Sequence, residues 1–117
     1  MPRPRRALAV TSSLLLAASG VLLAVAPSAS AATCPHYRVT NIQGAKAEYR
    51  LACNGGKLRV YGWVKDTRAE GDFAVLHIYA GNGASRSVFA SGWGVVEHFD
   101  YTFARTRSAE IRLSLDN

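Results

Sequence analysis

Beyond residue 32 the chain is built from short runs in which apolar and polar residues alternate, the period of a half-buried β-strand. Over residues 46–53, Ala47, Tyr49, Leu51 and Cys53 alternate with Lys46, Glu48, Arg50 and Ala52. Over residues 57–65, Leu58, Val60, Gly62 and Val64 alternate with Arg59, Tyr61, Trp63 and Lys65. Near the C-terminus Ile111, Leu113 and Leu115 alternate with Glu110, Arg112 and Ser114. Further strands are expected over residues 72–80, 85–90 and 95–103, with an edge strand over residues 37–42. None of these runs carries a helical period, so the fold class is all-β.

Turn chemistry sets the expected pairing. Asn54-Gly55 separates the first two runs and suits the type I′ turn of a two-residue hairpin. That turn sets Leu51 opposite Leu58 and Tyr49 opposite Val60, so the two apolar faces coincide. A three-residue loop through Gly56 would instead set Leu51 against Arg59. Asn82-Gly83 centres a second hairpin, with Leu76 opposite Phe89, and residues 66–71 (DTRAEG) read as a polar connection. Together these signals predict a small antiparallel β-sandwich or barrel of about six to seven strands.

The first 32 residues follow a different rule. Arg3, Arg5 and Arg6 form a basic head, residues 14–26 an apolar stretch, and Pro27 a helix breaker. Ala29-Ser30-Ala31 and Ser30-Ala31-Ala32 then supply the small residues that signal peptidase accepts. A retained membrane anchor fits less well. Thr11, Ser12, Ser13, Ser19 and Gly20 dilute the apolar span, and no basic residues follow it. The expectation is a cleaved secretory signal over residues 1–32 and a single secreted β domain over residues 33–117. That domain is extracellular, with no membrane attachment after cleavage.

Cleavage changes the composition. Losing the three arginines takes the net charge from +6 to +3, and the remaining basic residues form no cluster. That distribution argues against nucleic acid as a partner. A mature chain of about 85 residues holds only a small core, and such domains gain from a staple. Cys34 and Cys53 are the two cysteines of the chain, and in an oxidising compartment they are expected to form a disulfide. Their spacing suits neither zinc nor a C-x-x-C redox pair.

Residues 61–74 (YGWVKDTRAEGDFA) resemble a pattern in small secreted actinobacterial β-domain proteins of uncharacterised function. There a strand ending V-x-D-T leads through an acidic-glycine turn into the next strand. Similar proteins carry further cysteines near the positions of Phe73 and Trp93, where this chain has none. The resemblance implies a β fold and no particular activity.

Chemistry-bearing residues are sparse. His98 shares a strand face with Asp100, two residues on, which makes a small hydrolase the alternative reading. Ser85, Ser87 and Ser91 lie outside any Gly-x-Ser-x-Gly elbow, and His77 sits in an apolar run that suggests packing. The glycine pairs are turn elements with no helix behind them, so no phosphate cradle, cofactor or metal site is expected. The most suggestive group is the outward-phased row Arg59, Tyr61, Trp63 and Lys65, two aromatics flanked by cations. Such a row can stack on sugar rings or anchor a protein, although aromatics also simply favour strands. Trp93, between two glycines, is a weaker candidate. The leading expectation is non-catalytic binding of an extracellular polymer or protein. A secreted inhibitor or antimicrobial protein is a further alternative.

Overall fold

The computed structural model describes residues 28–69 and 71–116. The basic head and apolar stretch of the expected signal lie outside the described residues. Eight strands follow in order: β1 (Ser28–Thr33), β2 (His36–Ile42), β3 (Ala45–Asn54), β4 (Lys57–Asp66), β5 (Phe73–Ala80), β6 (Ser85–Ser91), β7 (Val96–Ala104) and β8 (Ser108–Asp116). They form two four-stranded antiparallel sheets, β1-β8-β5-β6 and β2-β3-β4-β7. The arrangement is a sandwich, and the strand count is eight where the alternation indicated six or seven. The additional strand is β1, SASAAT, whose residues are all small and weakly hydrophobic and of which all but Thr33 fall within the expected signal.

The inward residues were legible. Leu58, Val60 and Val64 from β4 meet Leu76 and Ile78 from β5 and Ile111 and Leu113 from β8, all essentially fully buried. Each such side chain contributes roughly 1.5–3 kcal/mol of burial free energy. At one open side of the sandwich Arg86 lays its guanidinium near the rings of Tyr101 and Phe103, 5.8 and 5.9 Å from their centroids. Its aliphatic stem can thereby cover apolar surface while the charge stays near water.

Both hairpin registers differ from expectation. The β3–β4 turn is Gly55-Gly56, not Asn54-Gly55, so Leu51 faces Val60 and Cys53 faces Leu58. Gly55 and Gly56 both have positive φ, 59° and 79°, as the two central positions of a type I′ turn require. Asn54 therefore extends the strand, and the shift of two keeps the same residues inward. The β5–β6 loop holds three residues, with Ala80 N donating to Ala84 O at 2.8 Å. Asn82 Oδ1 accepts from Ala84 N at 2.8 Å, and Gly83 takes the positive-φ position. The register moves by one, so Leu76 faces Val88, and Phe89 opposes Val75 on the outer face.

Cys34, in the β1–β2 connection, is disulfide-bonded to Cys53 on β3 with a Cα–Cα distance of 5.9 Å. The bridge fits an oxidising compartment. Closing a loop of about 20 residues stabilises by about 3 kcal/mol, chiefly by restricting the unfolded chain. Cys34→Ser with Cys53→Ser is expected to lower the melting temperature by about 12–24 °C in a thermal melt. A shift of less than about 4 °C would show that the bridge constrains little.

Candidate functional site

Because Leu58, Val60 and Val64 point into the core, the intervening Arg59, Tyr61, Trp63 and Lys65 stand on the outer face of the second sheet. Tyr61, Trp63 and Lys65 are half-buried there and Arg59 is exposed. Flanking strands complete the surface. Arg50 lies opposite Tyr61, Glu48 opposite Trp63 and Lys46 opposite Lys65 on β3. Asp100 lies opposite Tyr61 and His98 opposite Trp63 on β7. Tyr37 joins from β2, opposite Arg50.

Much of this face is already satisfied internally. Arg59 grips Asp100 through two bonds, Nε to Oδ1 at 2.9 Å and Nη2 to Oδ2 at 2.6 Å. The same guanidinium lies 4.1 Å from the centre of the Tyr61 ring. Glu48 accepts from the Trp63 indole Nε1 at 2.9 Å and from the Tyr37 hydroxyl. Arg50 in turn covers the Tyr37 ring at 4.2 Å. Lys65, by contrast, forms no ion pair among the described residues.

These contacts shift ionisation. The Tyr37 hydroxyl bond, followed by that from Trp63, holds Glu48 below its ordinary value, and the Arg59 bond does the same for Asp100. Tyr37 is raised, first because its proton is held by Glu48. A depressed carboxylate stabilises the fold above its unfolded pKa, here near 4.5 for Glu48 and 3.8 for Asp100. That contribution disappears as pH falls through the lower folded value. Melting temperature is therefore expected to fall between about pH 5 and about pH 2, and Glu48→Gln or Asp100→Asn should flatten the slope. Glu48 is half-buried and Asp100 exposed, so solvent screens both and the effect is modest; slopes identical to the unsubstituted protein would contradict the assignment.

His98 and Asp100 do share the outer face of β7, as expected. Both carboxylate oxygens of Asp100, however, accept from Arg59, which leaves the pair poorly placed as a base and its orienter. A different pair appears on the first sheet, where His77 Nδ1 lies 3.0 Å from Ser87 Oγ across the β5–β6 ladder. His77 has Arg112 directly opposite on β8. The alternation on β6 and the turn at Asn82 carried this contact in principle, but the one-residue register difference concealed it. Trp93 is 73% exposed and borders a loop cleft with Asp66, Arg68, Asp72 and Gly92.

The described residues contain no cluster of three or more potential metal ligands and no helix long and apolar enough to cross a membrane. Comparison with known proteins finds no matching family model, no matching curated protein and no matching solved structure.

Proposed function

We propose that the protein is a secreted, non-catalytic β domain that binds an anionic extracellular polymer through the outer face of its second sheet. The observation that carries this reading is the direct pairing of Lys46 with Lys65 across β3 and β4. Like charges placed opposite each other in a ladder repel, and a bound anion between them relieves that cost. Trp63 lies two residues from Lys65 on the same face, where its ring offers a stacking surface for a sugar. Across this surface Lys46, Arg50, Arg59 and Lys65 outnumber Glu48 and Asp100, so the face attracts negative charge beyond the one pair.

Affinity electrophoresis through polygalacturonate, poly(glycerol phosphate) and neutral dextran tests the reading and separates carboxylate from phosphate recognition. Retardation by at least one anionic polymer is expected, weakening with salt, with none by dextran. Lys46→Ala with Lys65→Ala should weaken that binding about tenfold or more, the equivalent of about 1.4 kcal/mol. Trp63→Ala should weaken it further. Equal migration in all three polymers, or retardation unchanged by the lysine substitutions, overturns the proposal.

A further inference from the structure

The outer face of the second sheet holds a depression at its hairpin end, about 350 Å³ in volume and lined by Ala52, Asn54, Lys57, Arg59 and Thr102. Strand register explains it. On β3, Asn54 lies opposite Lys57 and Ala52 opposite Arg59, while Thr102 lies opposite Arg59 on β7. Alternation puts all five on the outer face, and Ala52, whose side chain ends at Cβ, leaves the space between longer neighbours unfilled. That volume falls at the lower end of small-ligand sites, which span roughly 300–1,000 Å³.

The lining is rich in donors and holds no carboxylate among the described residues. The Lys57 ammonium, the Asn54 amide and the Thr102 hydroxyl form no hydrogen bond or ion pair among the described residues. Arg105 is exposed at the same end, its amide donating to Gly56 O at 3.0 Å, and adds positive charge there. The complement of such a depression is an anion.

Arg59 decides which anion. A guanidinium selects a planar carboxylate by gripping both oxygens at once. Here that fork is already taken, since Nε and Nη2 donate to the two oxygens of Asp100. What remains is Nη1 of Arg59 with the single donors of Lys57, Asn54 and Thr102, carried on three different strands. Separate donors of this kind, with lysine as a point charge, match the diverging oxygens of a tetrahedral group better than the two coplanar oxygens of a carboxylate. We infer that the depression is a phosphate subsite, and that the polymer bound by the outer face is a phosphodiester chain lying along β4. Arg59 and Lys65 are six residues apart, so such a chain covers about 20 Å, at about 3.4 Å per residue, on its way over Tyr61 and Trp63 to the Lys46–Lys65 pair.

The inference rests on the anionic-polymer reading above, and the two fail separately. Dimethyl phosphate and acetate each carry one negative charge at about pH 7, and are titrated at matched ionic strength while NMR follows the amide resonances. Dimethyl phosphate is expected to shift the Asn54 side-chain amide saturably, with half-saturation about fivefold or more below that of acetate. Lys57→Ala should abolish the saturation without lowering the melting temperature, because Lys57 is exposed. Asp100→Ala frees the Arg59 fork and should bring acetate to within about twofold of dimethyl phosphate. In affinity electrophoresis poly(glycerol phosphate) should retard the protein more than polygalacturonate, and Lys57→Ala should weaken the former by about fivefold or more. No saturable shift, equal half-saturation for the two anions, or a phosphate preference unchanged by Asp100→Ala overturns the subsite. Stronger retardation in polygalacturonate, or retardation in poly(glycerol phosphate) undiminished by Lys57→Ala, also overturns it and leaves the anionic-polymer reading standing. Saturable phosphate binding with equal migration in all three polymers overturns that reading and the phosphodiester chain with it, while the subsite stands.

Discussion

Gly62→Ala is expected to destabilise the domain by more than about 4 kcal/mol, against local propensity. Propensity alone favours the substitution, since glycine inside a strand costs about 0.5–1 kcal/mol relative to alanine. The surroundings reverse the sign. A Cβ on Gly62 would lie 2.0 Å from the Glu48 carbonyl oxygen and 2.8 Å from the Tyr49 Cα. Both obstacles are backbone atoms of the adjacent strand, so no side-chain rotation relieves the overlap. Overpacking typically costs about 1–3 kcal/mol, and a collision between two main chains belongs to the upper tail. The consequence reaches the candidate site, because Gly62 separates Tyr61 from Trp63 and faces Tyr49 beside the Glu48–Trp63 pair. Urea unfolding should show a lower midpoint, and fluorescence should report a displaced Trp63. A midpoint equal to the unsubstituted protein would mean that the strands separate without cost.

Asp66→Ala is expected to cost about 4 kcal/mol, because two backbone donors lose their acceptor together. Asp66 closes β4 and is 1% exposed. One carboxylate oxygen accepts from Arg68 N and the other from Gly92 N, each at 3.1 Å. Its own backbone donates to Val95 O at 3.1 Å and accepts from Gly94 N at 2.8 Å. One side chain therefore ties the start of the β4–β5 connection to the β6–β7 turn that carries Trp93. A hydrogen bond to a charged acceptor contributes roughly 1.5–3 kcal/mol, and here two are lost. Asp66→Asn should recover about half, since the amide oxygen can still accept while its NH2 opposes the second donor. The check is a pair of denaturation curves. Equal losses for alanine and asparagine would show that packing, not hydrogen bonding, holds the junction.

The sequence carried which side of β3, β4 and β8 faces the core, and it carried the cysteine pair. It did so because the side-chain period of two survives any register shift by an even number. The partners across the strands were less legible. A turn at Asn54-Gly55 sets Trp63 opposite Lys46 and Tyr61 opposite Glu48, whereas the observed turn at Gly55-Gly56 sets Trp63 opposite Glu48 and Lys46 opposite Lys65. Three consecutive turn-forming residues contain two overlapping hairpin solutions with the same inward face. What separates them is the tolerance of positive φ, greatest for the glycine pair. At Gly81-Asn82-Gly83 the difference was odd, so it moved Phe89 outward and Val88 inward. β1 was invisible for another reason. Its alanines and serines carry no intrinsic preference for a strand, and pairing with β8 alone gives it that form.

The pairing of β1 with β8 also orders events in time. The first and last of the described strands are neighbours, so in a chain made from its N-terminus residues 28–33 lack a mate until the last strand exists. Until then the bonds after Ala31 and Ala32 have no ladder to hold them. Once residues 108–116 arrive, the same bonds are locked into a ladder. The topology thus makes closure of this edge the last pairing to become available as the chain grows.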